Sequence, residues 1–180
     1  MKSILLSLIL SLASVFMTNC ATSPKVFKSP TGNLRLVHDD GSTGGEAVYR
    51  IYYGAIRQPG EVKSLVNAAD VRNVPGLPVD QKIFWSPTGS TALIYENMSD
   101  ASPEYQHVLV REVGDRKITV DKVDLGRRGG SIDSPYGEWP TVTGITDAEI
   151  TLEWRSGPRV ERVPIARVLE MRHNDPRSGE

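Results

Sequence analysis

The tetrapeptide Ser-Pro-Thr-Gly occurs twice, at residues 29–32 and 86–89, and each copy runs straight into an apolar segment, Leu34-Arg35-Leu36-Val37 and Thr91-Ala92-Leu93-Ile94-Tyr95-Glu96. Serine first, proline second and glycine fourth is the pattern of a type I turn. A chain that repeats a turn followed by a short strand is built from turn-and-strand units, and so from antiparallel sheets.

The segments between and beyond the two turns carry the same signal. Leu34 and Leu36 alternate with Arg35, and Ala47–Tyr53 is rich in strand formers, so the two segments form a hairpin across the polar loop at Asp39–Gly45. Residues 61–70 place Val62, Leu65, Val66 and Ala69 at helical spacing over only ten positions, and they read equally as a short helix or a strand. Asn73–Pro78 is a breaker segment leading into Lys82–Trp85. After the second turn, the strand at Thr91–Glu96 is followed by His107–Val113, by a tight turn at Gly114–Lys117, and by Ile118–Leu125. The apolar phase shifts between Val120 and Val123, as a bulge would produce. Glu149–Arg155 has Ile150, Leu152 and Trp154 on one face with polar residues between them. Val160–Ile165 is its hairpin partner, and Ala166–Met171 reads as an extension of that partner.

Export is legible at the start. Met1-Lys2-Ser3 precedes an apolar run from Ile4 to Phe16, the size of a signal-peptide core and too short to span a bilayer comfortably. The following Met17-Thr18-Asn19-Cys20 resembles the cleavage box of bacterial lipoproteins, although Asn19 and Met17 stand where small residues and leucine are usual. The resemblance implies lipidation of Cys20, which is the only cysteine. A lone thiol has no intramolecular disulfide partner; an ordinary signal peptide cut nearby would leave Cys20 free or discard it. On this reading residues 1–19 are the signal peptide, 20–28 a lipid-anchored tether, 29–171 a single β domain and 172–180 a flexible tail. The expected location is the bacterial cell envelope, on a membrane through the anchor, at the outer membrane facing the periplasm.

Trp85-Ser86-Pro87-Thr88-Gly89 and its following strand also resemble the blade motif of TolB-like β-propellers and of the propeller domains of prolyl oligopeptidases. Residues 29–53 and 84–125 carry the likeness, with Thr31 and Thr88 where those families usually show aspartate. The turns begin at 29, 86 and, in the degraded form Ser134-Pro135-Tyr136-Gly137, at 134. Blades recur every 40–45 residues or so and about four are needed to close a ring. The fold expected is therefore all-β, with antiparallel blade-like meanders arranged as a two-sheet sandwich or an incomplete propeller-like stack, not a closed propeller.

Charge and chemistry narrow the function classes. A formal net charge of -1 provides no field that would gather nucleic acid, so no nucleic-acid partner is expected. The three histidines, His38, His107 and His173, include no pair at metal-ligand spacing, and neither a metal site, a catalytic residue nor a cofactor is assigned. His38-Asp39-Asp40 is the densest cluster; it could hold a cation, or serve as solvated turn residues beside Gly41. His107 and His173 read as surface or edge residues. Arg127-Arg128-Gly129-Gly130-Ser131 could cradle an anion with backbone N–H groups beside fixed positive charge, or be an ordinary basic turn. Trp139 sits in a loop, where it could anchor a sugar or a protein, or cap one end of the core. Trp85 and Trp154 belong to the core. The function expected is that of a non-catalytic envelope protein with a structural or protein-interaction role and an unknown envelope protein as partner. The alternative is a binding module for a carbohydrate or small anion built on Trp139, Arg127 and Arg128.

Overall fold

The computed structural model describes residues 24–41, 45–65, 80–97, 105–114, 116–126, 138–155, 157 and 159–173. Their eleven strands form three antiparallel sheets, none closed into a barrel. Sheet 1 is the meander β1 (Lys25–Lys28), β2 (Leu34–Asp39), β3 (Val48–Tyr53) and β4 (Ile56–Lys63). Sheet 2 repeats that order with β5 (Asp80–Trp85), β6 (Thr91–Asn97), β7 (Tyr105–Glu112) and β8 (Ile118–Lys122). Sheet 3 contains β9 (Thr141–Ile145), β10 (Glu149–Glu153) and β11 (Val160–Pro164), followed by the helix α1 (Ile165–His173).

The Ser-Pro-Thr-Gly units form the same turn twice. Gly32 N–H donates to Ser29 O and Gly89 N–H to Ser86 O, both at 2.9 Å, and the serine hydroxyls accept from Leu34 N and Thr91 N at the start of the next strand. Both glycines have positive φ, 78° and 72°, which a side chain would strain. The two turns are stacked: a Cβ on Gly89 would lie 2.9 Å from Thr31 Oγ1 and 3.1 Å from Ser29 Cβ.

Sheet 2 is the middle layer. Ala92, Ile94, Val108 and Val110 pack against Leu34, Leu36, Tyr49, Ile51 and Val62 of sheet 1, with Phe27, Ile83, Trp85 and Ile118 at the margin. Leu93, Tyr95 and Leu109 point the other way, into a second core with Val142, Ile150, Leu152 and Trp154 of sheet 3 and Ile165 and Val168 at the start of α1. A strand loses its alternation when both its faces are covered, and β6 is buried from Thr91 through Glu96. The outward faces of sheets 1 and 3 carry most of their charged side chains. Arg50 there pairs with Asp39 at 3.0 Å and with Glu61 at 3.3 Å.

Several expectations change. Lys25–Lys28, read as part of the tether, pairs with β2 as an edge strand because Phe27 reaches the core and rests against Tyr49. Ala166–Met171 is helical, not an extension of β11: Ile165, Val168 and Leu169 have the i, i+3, i+4 spacing that presents one helix face to the second core. The helix also takes in Arg172 and His173 from the presumed tail. Residues 61–63 belong to β4, while Val66–Asp70 lie outside the described residues. No bulge interrupts β8, whose register to β7 is regular from Ile118 to Lys122. The apolar phase changes because Ile118 serves the first core, whereas Val123 and Leu125 serve the second.

Candidate functional site

Strand alternation in β6 places Glu96 on the face that sheet 1 covers, two residues beyond Ile94, where its side chain is 0% exposed. The cost of burying a carboxyl group is met by hydrogen bonds. Tyr49 Oη donates to Glu96 Oε1 at 2.7 Å and Ser64 Oγ at 2.6 Å, with Gln81 Nε2 at 3.3 Å. Oε2 accepts from the backbone N–H of Leu65 at 2.7 Å and from Gln106 Nε2 at 3.3 Å. The donors come from β3, β5, β7 and the segment just after β4, so one carboxyl group ties sheet 1 to sheet 2. Gln81 Nε2 also donates to Tyr49 Oη at 2.6 Å, and Gln106 Nε2 to Lys63 O at 2.6 Å. Burial, and then the neighbouring Glu96, push the Tyr49 phenol well above its usual range, which keeps its proton in place for this bond.

His38 joins the cluster from β2. Its ring lies 4.7 Å from that of Tyr49, and its Nε2 is 3.0 Å from Ser64 Oγ. The order is therefore histidine, serine, carboxyl. In a nucleophile arrangement the imidazole stands between the hydroxyl and the acid. Here the hydroxyl stands between them, and with its hydrogen given to Glu96 it accepts from His38. The residues are held together as a buried lock between layers.

His38 and Asp39 thus do not act as one cluster. They point to opposite faces of β2, His38 inward at 4% exposure and Asp39 outward toward Arg50. Asp39 also accepts from Gly41 N, the solvated-turn role. Among the described residues no group of three or more His, Cys, Asp or Glu side chains could hold a metal ion. His107 is buried in β7, contrary to its reading as a surface or edge residue, because β7 belongs to the middle sheet; its ring lies 5.4 Å from that of Tyr95. Burial lowers its pKa to about 4 against a smaller opposing pull from Asp124, so the ring is neutral at pH 7.

The far end of the stack holds a second polar arrangement. Asp147, in the β9–β10 turn, accepts from Thr88 Oγ1 at 2.7 Å and from Ser90 Oγ at 2.8 Å. Burial raises its pKa, but the hydroxyls of Ser86, Thr88, Ser90 and Thr91 together outweigh that and hold it below its ordinary value. The turn of sheet 1 rests on that of sheet 2, and sheet 3 clasps the latter with Asp147.

A shallow cavity of about 280 Å³ opens beside the β10–β11 hairpin, lined by Thr141, Glu153, Trp154, Arg155 and Arg159. Trp154 is core and donates its indole N–H to Glu161 at 3.0 Å. Trp139 is half-buried, and its neighbour Glu138 accepts from the backbone N–H of Arg155. Cys20, Arg127, Arg128 and the Ser134–Gly137 turn lie outside the described residues. The sequence reading missed Glu96, Ser64, Gln81 and Gln106. The available signal was Glu96 itself, an acidic residue near the end of the apolar strand β6.

No protein-family model, curated protein or solved structure matches this chain.

Proposed function

We propose that this chain is an exported, lipid-anchored protein of the bacterial cell envelope, held on the outer membrane facing the periplasm, with a non-catalytic structural or protein-interaction role. The observation that carries this reading is the position of the only cysteine, Cys20, at the end of the apolar run from Ile4 to Phe16. Several acyl chains there, at about 0.8 kcal/mol per buried methylene, hold a protein on a membrane essentially permanently. The inert order of His38, Ser64 and Glu96 favours a non-catalytic role. Protein contacts are available at the sheet edges, where Ile56 of β4 and Val160 of β11 are 63% and 61% exposed. Fatty-acid labelling of the wild-type chain beside Cys20→Ala tests the proposal. Label on wild type alone is expected, and an unlabelled wild type would overturn it.

A second reading, a binding module for a small anion or carbohydrate, is favoured by the cavity lined by Trp154, Arg155 and Arg159. Titration with inorganic phosphate and with oligosaccharides, followed by tryptophan fluorescence, separates the two. Binding that survives both Trp139→Ala and Arg155→Ala would remove this site from consideration.

A further inference from the structure

The connection between Cys20 and the folded domain is short. Strand β1 begins at Lys25, leaving four residues, 21–24, between them. An extended chain covers at most about 3.5 Å per residue, so the start of β1 lies within about 17 Å of the cysteine. A domain of this size is about 40 Å across. A chain anchored at Cys20 therefore cannot swing freely, and the surface adjoining β1 is the one that meets the membrane.

Strand pairing identifies the residues of that surface. In β1 and β2, Val26 lies opposite Val37 and Lys28 opposite Arg35, all on the outward face of sheet 1, while Phe27 and Leu36 point into the core. The same face continues through Arg50 and Tyr52 of β3 and through Arg57, Glu61 and Lys63 of β4. It carries five basic residues, Lys28, Arg35, Arg50, Arg57 and Lys63, against the acidic Asp39 and Glu61. Asp39 of β2 pairs with Arg50, Glu61 of β4 with Arg50 and Arg57, and Lys63 pairs with Glu46 at 2.9 Å. At the other end of β1 from Lys25, Lys28 and the facing Arg35 have no carboxylate partner among the described residues: Arg35 donates to Gly54 O at 2.6 Å and lies over the Tyr52 ring, and Lys28 is exposed. Val26, 49% exposed and opposite Val37, adds an apolar contact on the same face, toward the anchor. The opposite end of the stack has no such excess, since the outward side chains of β10 include Glu149 and Glu153. Basic groups held close to a bilayer are drawn to anionic headgroups over roughly a Debye length, about 8 Å at physiological ionic strength.

We infer that the outward face of sheet 1, along Val26, Lys28 and Arg35, lies against the anionic lipid headgroups of the membrane in which Cys20 is anchored, so that sheet 3 is the layer presented away from the membrane. This inference rests on the anchoring proposed above.

The test uses the full lipidated chain in phosphatidylcholine vesicles with and without phosphatidylglycerol. A thiol-reactive fluorophore is placed by Val26→Cys in one sample and by Thr151→Cys in another, with a quencher attached to the lipid headgroups. Quenching at position 26 is expected to exceed that at position 151 by about threefold in anionic vesicles, and to fall in high salt or on adding Lys28→Glu and Arg35→Glu. Equal quenching at the two positions would overturn the inference. So would quenching at position 26 that ignores salt, lipid charge and the two substitutions, or a demonstration that the same face is occupied by a protein or cell-wall polymer. Fatty-acid labelling of the same preparation reports on the anchor separately. If the wild-type chain carries no acyl group, the anchoring proposal fails by itself, and salt-sensitive cosedimentation with phosphatidylglycerol vesicles, present or absent, decides the face.

Discussion

Replacing Glu96 tests the lock between sheets 1 and 2. Glu96→Leu replaces the carboxyl group with an apolar side chain of similar size and so removes every acceptor. Gln81 retains Tyr49 Oη as a partner and Gln106 retains Lys63 O, while Ser64 Oγ–H can turn toward His38. The Leu65 N–H and the Tyr49 hydroxyl are the groups left stranded. At about 1–3 kcal/mol for each buried unsatisfied group, the loss is about 4 kcal/mol, partly offset by the added apolar contact. Glu96→Gln should behave differently. Its carbonyl can face Leu65 N–H while its amide faces Tyr49 and Ser64, whose hydroxyls rotate to accept, with His38 changing tautomer. That variant should lose only about 1–2 kcal/mol. Urea denaturation of both proteins measures the difference, and the leucine variant should melt about 10 °C lower than wild type, at roughly 2–4 °C per kcal/mol. A Glu96→Leu protein within about 1 kcal/mol of wild type, or a glutamine variant as unstable as the leucine one, would refute the reasoning.

Protonation of His107 supplies a pH test. Its folded pKa of about 4 lies below the unfolded value of 6.5, so the unfolded chain takes up the proton first and stability falls as the pH drops from 6.5 toward 4. The gap, at about 1.36 kcal/mol per pH unit, corresponds to a loss of about 3 kcal/mol, and a His107→Asn variant should lack that part of the slope in denaturation curves at paired pH values. Gly32→Ala and Gly89→Ala both place a side chain at positive φ, but only the second Cβ meets a neighbouring turn, so calorimetry should show the second substitution to be more costly by about 1 kcal/mol. Asp147→Ala should cost about 1 kcal/mol, whereas Asp147→Asn, which keeps one acceptor for Thr88 or Ser90, should cost less in the same thermal melts.

What could be read from the chain followed local chemistry. Ser29–Gly32 and Ser86–Gly89 announce their turns because proline and glycine at fixed offsets leave few alternatives, and Ile150, Leu152 and Trp154 announce β10 because one of its faces is solvated. The pattern fails where burial is two-sided or absent. β6, covered by both neighbours, shows no alternation to assign its side chains, and so Glu96 gave no hint of which layer it faces. β4 has the reverse difficulty: Ile56–Lys63 is mostly exposed and contains Pro59 and Gly60, tolerable at a sheet edge yet unlike a strand in composition. The His38–Ser64–Glu96 cluster joins residues far apart in sequence, and no local spacing anticipates it. Helix α1 was misread because a short apolar pattern continuing from β11 fits either period.

A middle layer with two covered faces also sets an order of assembly. The first core consists of side chains from sheets 1 and 2, and the second of side chains from sheets 2 and 3 with α1. Among the described residues neither outer sheet contributes to the other's core, so there each packs on sheet 2, as repeats in a stack depend on their neighbours. A chain emerging from its N-terminus first would therefore carry sheet 1 as an open hairpin assembly, with Leu34, Leu36 and Ile51 uncovered, until β6 and β7 arrive. Sheet 3, emerging last, meets a finished platform. Such a molecule spends its most vulnerable interval at the beginning of its synthesis, with its first sheet waiting for its second.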